Sequence, residues 1–168
     1  MKGKILFKEE QSFVNTWMWY LVLSIMALSL GGVILGYIRN PNSEGVVALI
    51  ITIVVAGGVV LLLFSSRLHT SIDQDRIYYR FPPFVRSERS ISKEDVKEIY
   101  VRKYQPIWEY GGWGYRIRLG KGKALNVAGD YGLQLVLSDG KKLLIGTQKP
   151  EAMEHALRRL KENWGIDG

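Results

Sequence analysis

The first third of the chain contains two long apolar runs separated by a short polar segment. The runs cover residues 15–38 and 45–64, which are 24 and 20 residues without Asp, Glu, Lys, Arg or His. A helix of about 20 apolar residues crosses the roughly 30 Å hydrocarbon core of a bilayer. The polar segment between them is too brief for anything but a tight turn. We therefore predict a transmembrane helical hairpin over residues 15–66, retained because the first run is longer than the apolar stretch of a signal peptide and lacks its cleavage site.

The residues that flank these runs predict how the hairpin sits in a membrane. Aromatic rings and an arginine lie at the ends of the runs, where amphipathic side chains suit the headgroup level, and we interpret them as interface anchors: Trp17, Trp19, Tyr20, Tyr37 and Arg67. Three lysines precede the first run, and arginines follow the second, whereas the turn holds Arg39 alone. The positive-inside rule then predicts two cytoplasmic termini, with residues 1–14 as a cytoplasmic tail.

From Leu68 onward, apolar and polar residues alternate in short stretches, which is the period of a half-buried strand. Turn-forming residues separate the stretches, notably 73–75, 82–83 and 138–140. The pattern predicts about seven strands, at 77–81, 85–91, 96–101, 115–119, 124–127, 133–137 and 141–146. The remaining domain, residues 67–168, is thus predicted to be mainly β.

Three other segments depart from strand alternation. Residues 92–95 have the spacing of a capping box and predict one helical turn. Residues 104–114 are aromatic and rich in turn formers, so we expect a loop or a bulged strand end. Residues 150–164 predict an amphipathic helix that closes the domain, because its apolar residues share one face: Met153, Ala156, Leu157, Leu160 and Trp164.

Charge and cysteine content narrow the chemistry. The formal net charge is +7, and residues 65–168 hold 19 Lys and Arg against 13 Asp and Glu, so +6 of the total belongs to the predicted β domain. Such a balance favours anionic surfaces, of which the cytoplasmic leaflet is the nearest to a tethered domain. We expect no nucleic-acid partner, since the cations are interspersed with acids and form no recognisable binding motif. The absence of cysteine excludes disulfides and thiolate chemistry.

The segments that come nearest to known catalytic motifs do not match them in spacing or in sequence context. Gly114 and Gly120-Lys121 are separated by one residue too many for a phosphate loop, and Gly122 stands where Ser or Thr is needed. Ser90 and Lys93 match a serine-x-x-lysine pattern without its companion motifs. The two histidines, at 69 and 155, lie on separate elements. We therefore predict no enzyme activity, no metal site and no cofactor.

A basic segment with two nearby tryptophans is the candidate ligand or partner surface. Strand alternation places Arg116 and Arg118 on one face, opposite Tyr115, Ile117 and Leu119. Arginine forks suit phosphate or carboxylate, and indoles suit an interface or peptide groove. Alternatively, these side chains are the solvated outer face of a sheet. The candidate surface comprises Trp108, Trp113, Arg116, Arg118, Lys121 and Lys123.

Several stretches, taken together, resemble those of bacterial pleckstrin-homology-like (PH-like) membrane proteins. They are residues 66–70, 91–99, 111–116 and 139–147, with Pro150 before the last helix. The resemblance implies an α+β, mainly β fold in which a bent barrel is closed by the C-terminal helix. It also implies a multi-pass protein of the bacterial cytoplasmic (inner) membrane that binds lipid headgroups, peptides or protein surfaces.

These observations favour one function and leave two others open. The first is a membrane-anchored PH-like binding or scaffold module that presents its cytoplasmic domain to a protein partner or to its own copies. The second is a reader of anionic membrane lipid that uses the basic strand and turn. The third is an accessory subunit of a transporter or envelope complex, with the helical hairpin as its contact surface.

Overall fold

The two apolar runs form two helices of 23 residues each. The computed structural model describes residues 4–166, in which helix α1 spans Trp17–Arg39 and helix α2 spans Ser43–Ser65. Both are long and apolar enough to cross a membrane. The turn is shorter than predicted, because both helices extend into it. Asn42 Oδ1 accepts the Gly45 N–H at 2.7 Å, which caps α2.

The predicted interface anchors occupy the ends of these helices. Trp17, Trp19 and Tyr20 lie in the first turn of α1, and Tyr37 lies in its last turn. Arg67 is instead the first residue of a strand, β2, where its Nη1 lies 3.0 Å from Glu10 Oε1. Arg67 therefore forms an ion pair with the segment that precedes the hairpin.

The N-terminal segment is a strand, so the prediction of a tail over residues 1–14 was wrong for its second half. Strand β1, Phe7–Ser12, is the edge of a four-stranded sheet. The chain accordingly forms two compact units. One is residues 12–66, and the other joins residues 4–11 to residues 67–166.

The first sheet follows chain order, β1-β2-β3-β4. Its other strands are β2, Arg67–Ile72; β3, Ile77–Phe81; and β4, Val85–Ile91, joined by antiparallel pairing of β2 with β3 and of β3 with β4. Asp73 begins the turn between β2 and β3, and its Oδ1 accepts the N–H groups of Asp75 and Arg76. This turn confirms the one predicted at residues 73–75.

The second sheet has five strands in the order β5-β8-β9-β7-β6. They are β5, Val96–Lys103; β6, Gly114–Arg118; β7, Gly122–Asn126; β8, Tyr131–Leu137; and β9, Lys142–Thr147. Neighbours run antiparallel except β7 and β9, which are parallel. Over residues 4–166 the structure thus has nine strands in two sheets, whereas a bent barrel of about seven strands was predicted. The coarse α+β prediction is confirmed.

Short helical segments complete the β-rich unit. Residues Lys93–Asp95 form the single turn that the capping box predicted. The predicted loop at 104–114 was wrong, since helix α3 spans Pro106–Tyr110 within it. Proline at the first position and the left-handed Gly111 at the end define this short helix.

Helix α4, Pro150–Trp164, confirms the predicted C-terminal helix. All five residues of its predicted apolar stripe are buried, and the helix packs against β2, β5 and β8. Trp164 Nε1 donates to the carbonyl of Asp75 at 3.0 Å, which ties the end of α4 to the β2–β3 turn. The buried core also takes apolar residues from both sheets, among them Leu68, Ile77, Phe81, Leu133, Leu135 and Ile145.

Candidate anion-binding cleft

The register of the β6–β7 hairpin decides which side chains share a face. Arg116 pairs with Ala124 and Arg118 with Gly122, whereas Ile117 pairs with Lys123. Directly paired residues point to the same side of a sheet. Arg116 and Arg118 therefore share one face, as predicted, and Lys123 lies on the opposite face beside Ile117.

The apolar face of β6 is not fully packed. Alternation leads one to expect Tyr115, Ile117 and Leu119 against the core, and Tyr115 does stack on Phe84 with ring centroids 5.8 Å apart. Ile117 is nevertheless 66% exposed and Leu119 is fully exposed, because the hairpin extends past the strands that would cover them.

Glycines shape the turn of this hairpin. Lys121 N–H donates to the Arg118 carbonyl at 3.2 Å, and Gly120, at the third position of the turn, has φ +76°. Gly122 has φ +86° and lies against the Lys142 carbonyl so closely that a Cβ would collide with it. The close approach brings the start of β7 next to the start of β9.

Next to the starts of β7 and β9 lies a cleft of about 480 Å³ with a strongly basic lining. Five of its side chains are cationic and one is a carboxylate; they are Arg89, Arg118, Lys123, Lys141 and Lys142 with Asp139. We call this site the basic cleft. Its walls come from both sheets, since Tyr79 and Arg89 belong to β3 and β4 and the other residues to the second sheet and its turns.

Charge pairing within the basic cleft leaves a cationic excess. Lys141 Nζ lies 2.6 Å from Asp139 Oδ2, and this hydrogen bond lowers the pKa of Asp139 and raises the pKa of Lys141. Burial raises the pKa of the Tyr79 hydroxyl, although the neighbouring Arg89 cation acts in the opposite direction. One carboxylate against five cations gives the lining a net charge of +4. A site with this chemistry can hold a phosphate or another compact anion.

The two predicted tryptophans line a different cleft. Trp108, on α3, is 78% exposed, and Trp113 donates from Nε1 to the Gly129 carbonyl at 3.1 Å. Together with Tyr104, Pro106 and Ile107 they border an open cleft of about 540 Å³, the aromatic cleft.

The predicted arginines connect the hairpin to the segment that carries these tryptophans. Arg118 Nη1 donates to the Trp108 carbonyl, and Arg116 Nε donates to the Trp113 carbonyl at 3.0 Å. The structure thus divides the predicted surface. Arg118 and Lys123 line the basic cleft, the tryptophans line the aromatic cleft, and Arg116 and Lys121 lie outside the lining of both.

An ion pair between Arg102 of β5 and Glu109 of α3 connects the two elements. Arg102 Nη2 and Nη1 lie 2.8 and 3.1 Å from Glu109 Oε2 and Oε1, and Glu109 Oε1 also accepts the Gln105 N–H at 2.9 Å. The hydrogen bonds from Arg102 hold the pKa of Glu109 below its usual range and raise the pKa of Arg102. This ion pair closes the first turn of α3 and sets the position of Trp108.

Sequence reasoning missed Arg89, Lys141 and Lys142. The adjacent Lys141 and Lys142 follow the predicted turn at 138–140, so a comparison of neighbouring hairpin turns would have found them. Arg89 gave no such signal, because it lies more than 20 residues from the basic hairpin and on the other sheet.

Histidines and acids are dispersed in the part of the chain that the structure describes. Residues 4–166 contain no group of three His, Asp or Glu side chains close enough to hold a metal ion. His69 Nδ1 lies 3.5 Å from Glu10 Oε2, and burial lowers the pKa of His69 despite this carboxylate.

Comparison of the sequence with known protein families and with curated proteins gives no match. The PH-like resemblance therefore stays a prediction, and the geometry of the basic cleft is the main basis for assigning a function.

Proposed function

We propose that this protein is a membrane-anchored binding module that holds a phosphate-bearing anion in its basic cleft. The composition of that cleft carries the proposal: five cations and one paired carboxylate surround a volume of about 480 Å³. Small-molecule sites usually measure about 300–1,000 Å³ and combine apolar walls with a few polar groups. Ile117, Leu137 and Leu143 supply such walls here.

The strand arrangement supports a PH-like fold for the β-rich unit. The first sheet, in chain order, and strands β5, β8 and β9, which pair antiparallel, together provide seven strands followed by α4. On this reading α3, β6 and β7 lie outside these seven strands. Strands β6 and β7 supply Arg118 and Lys123 to the proposed site.

The helical hairpin supports membrane anchoring, and the distribution of cations supports a cytoplasmic position for the β-rich unit. Lys2, Lys4 and Lys8 precede α1, whereas Arg39 is the only cation at the hairpin turn. Anchoring raises the local concentration of a weak binding site near its target. A cleft of modest affinity then suffices for a ligand held at the same membrane.

Recognition in the basic cleft combines two kinds of cation. Arg89 presents a planar guanidinium fork that matches phosphate oxygens, and the lysines contribute compact charges. Each hydrogen bond between charged groups is worth about 1.5–3 kcal/mol. Two such contacts, about 3–6 kcal/mol together, therefore account for a change in affinity of at least about a hundredfold.

The proposal is tested by titrating the full chain in neutral micelles with inorganic pyrophosphate. A parallel titration uses nanodiscs that contain phosphatidylglycerol. Binding of both probes indicates a general phosphate site, whereas binding of the nanodiscs alone indicates a lipid headgroup. Arg89→Gln with Lys142→Gln should weaken binding on the order of a hundredfold. The matched control, Arg158→Gln with Arg159→Gln on the exposed side of α4, should leave it unchanged. Failure of both probes to bind, or an equal loss in the control, would refute the proposal.

The aromatic cleft favours a second candidate function, docking of a protein partner or a second copy. Trp108 and Ile107 are 78% and 57% exposed, and exposed tryptophans are frequent anchors of protein interfaces. A photo-crosslinking amino acid at position 108 in the membrane-embedded full chain should then give a protein adduct. Trp108→Ala should lower the yield of adduct from a crosslinker at Ile107, and Tyr100→Ala, at another exposed aromatic residue, should not.

A further inference from the structure

The tip of the β6–β7 hairpin exposes aliphatic side chains at its turn. Leu119 is fully exposed and Ile117 is 66% exposed. The turn is held by the hydrogen bond from Lys121 to Arg118, and a Cβ added at Gly120 would meet nothing within 4 Å. The turn therefore projects from the sheet and presents Leu119 outward.

The segment that carries these exposed aliphatic residues is basic along its sequence. Residues 110–129 contain no Asp or Glu and four cations, namely Arg116, Arg118, Lys121 and Lys123. Glu109, just before the segment, is engaged by Arg102 through two hydrogen bonds. The hairpin therefore combines exposed aliphatic side chains with four positive charges along its own sequence.

We propose that this tip docks on an anionic lipid bilayer, with Leu119 inserted at the headgroup level and Lys121 and its neighbouring cations against lipid phosphates. An apolar residue flanked by lysine and arginine is the composition that partitions to a membrane interface. A protein partner of matching chemistry would need an acidic rim, whereas an anionic leaflet offers negative charge over its whole surface.

The proposal rests on the membrane anchoring in the proposed function, and the short connections of the chain support it. Four residues, 13–16, separate β1 from α1, and Ser66 alone separates α2 from β2. If α1 and α2 cross a bilayer, two short tethers hold the β-rich unit beside that bilayer. Tethering makes even a weak surface contact highly populated.

Because the chain has no cysteine, a single label can report on the tip. The full chain carrying Leu119→Cys and a polarity-sensitive fluorophore is reconstituted in nanodiscs of neutral lipid and of neutral lipid mixed with phosphatidylglycerol. A quencher on the lipid acyl chains measures contact with the bilayer. Glu154→Cys, on the exposed side of α4, is the matched label position.

In anionic nanodiscs we expect a blue shift and strong acyl-chain quenching at position 119 but not at position 154. Lys121→Gln should lower the docked-to-undocked ratio about fivefold, since a basic residue near an anionic leaflet contributes that much. Lys97→Gln, at an exposed site on β5, should leave the ratio unchanged. A label at 119 that stays in water in anionic nanodiscs, or that responds equally to both lysine substitutions, overturns the proposal.

The same samples separate this proposal from the proposed function. A chain that does not enter nanodiscs refutes membrane anchoring, whereas a chain that enters but keeps residue 119 in water refutes only the docking of the tip. The variant Arg89→Gln with Lys142→Gln alters the basic cleft and leaves Leu119 and Lys121 intact. It should weaken pyrophosphate binding about a hundredfold while the signal at 119 persists.

Discussion

Thr147 Oγ1 donates a hydrogen bond to Glu9 Oε2 at 2.6 Å, although 138 residues separate them. Glu9 Oε1 also accepts the Gln148 N–H at 2.9 Å, and both Glu9 and Thr147 are buried. One carboxylate thus ties the edge strand before the helical hairpin to the end of β9.

Glu9→Ala should lower the free energy of unfolding by about 2–4 kcal/mol, because it leaves a buried hydroxyl and a backbone N–H without their acceptor. Unfolding of the full chain in neutral micelles measures this, and hydrogen exchange at the Gln148 amide should accelerate. Glu10→Ala is the control. Its carboxylate pairs with Arg67 in a half-exposed contact, so the loss should stay below about 1 kcal/mol. Equal losses would contradict the role assigned to Glu9.

The Glu9 contact shows why the first strand could not be predicted. The inward residues of β1 are Phe7, Glu9 and Gln11, so two of three core-facing positions are polar. Their partners, Thr147 and Gly146, lie at the other end of the chain. A local pattern cannot report such a pairing, whereas α4 was predictable because its five buried apolar residues follow the helical period.

The candidate site divides in the same way. Alternation correctly placed Arg116 and Arg118 on one face, which is a local property of β6. The basic cleft depends instead on the parallel pairing of β7 with β9 and on Arg89 from the other sheet. A sequence that is divided into predicted hairpins reveals neither the pairing of β7 with β9 nor the approach of Arg89. Helix α3 is a different case, because Pro106 and Gly111 are ordinary helix start and stop signals that the aromatic character of the segment obscured.

Tyr104 should make the stability of the β-rich unit fall at alkaline pH. Burial raises the pKa of Tyr104 to about 12, above the value of about 10 in an unfolded chain. The stabilisation is therefore complete below pH of about 10 and is lost as the pH rises towards about 12, by up to roughly 3 kcal/mol. Unfolding free energies measured from neutral to alkaline pH should show this decline.

Tyr104→Phe provides the check on that assignment. The variant should be less stable by about 1–3 kcal/mol at neutral pH, since Asn126 Nδ2, which donates to the Tyr104 hydroxyl at 2.8 Å, loses its acceptor. Its alkaline decline should be shallower but not absent, because burial also raises the pKa values of Tyr79 and Tyr110. An unchanged slope would show that Tyr104 does not titrate in this window.

Glu109 should give the opposite pH dependence. Hydrogen bonds from Arg102 lower the pKa of Glu109 below its ordinary value. The stabilisation that Glu109 contributes to the folded state is therefore complete when the pH is above that ordinary pKa, and it is lost as the pH falls through the lowered pKa. Protection of the backbone amides of residues 105–111 against hydrogen exchange, measured relative to the intrinsic exchange rate at each pH, should fall on acidification. Glu109→Gln should bring faster exchange at neutral pH and remove most of the acid dependence, while Glu154→Gln on the exposed side of α4 should change neither. Acid-dependent exchange that survives in Glu109→Gln would assign it to another group.

Gly122 should be the most sensitive position of the basic cleft. A Cβ at this residue would collide with the backbone of Lys142, and the residue has φ +86°. Relief of the collision would require β7 and β9 to move apart, which would break their parallel pairing. Gly122→Ala should therefore separate the two strand ends, accelerate hydrogen exchange at residues 123–125 and abolish anion binding. Gly120→Ala is the matched control, since φ is +76° but a Cβ there meets nothing within 4 Å. It should cost only about 1 kcal/mol of backbone strain and retain the cleft. If both variants bind pyrophosphate normally, the cleft does not depend on the approach of β7 to β9, and its cations must reach the anion from another arrangement.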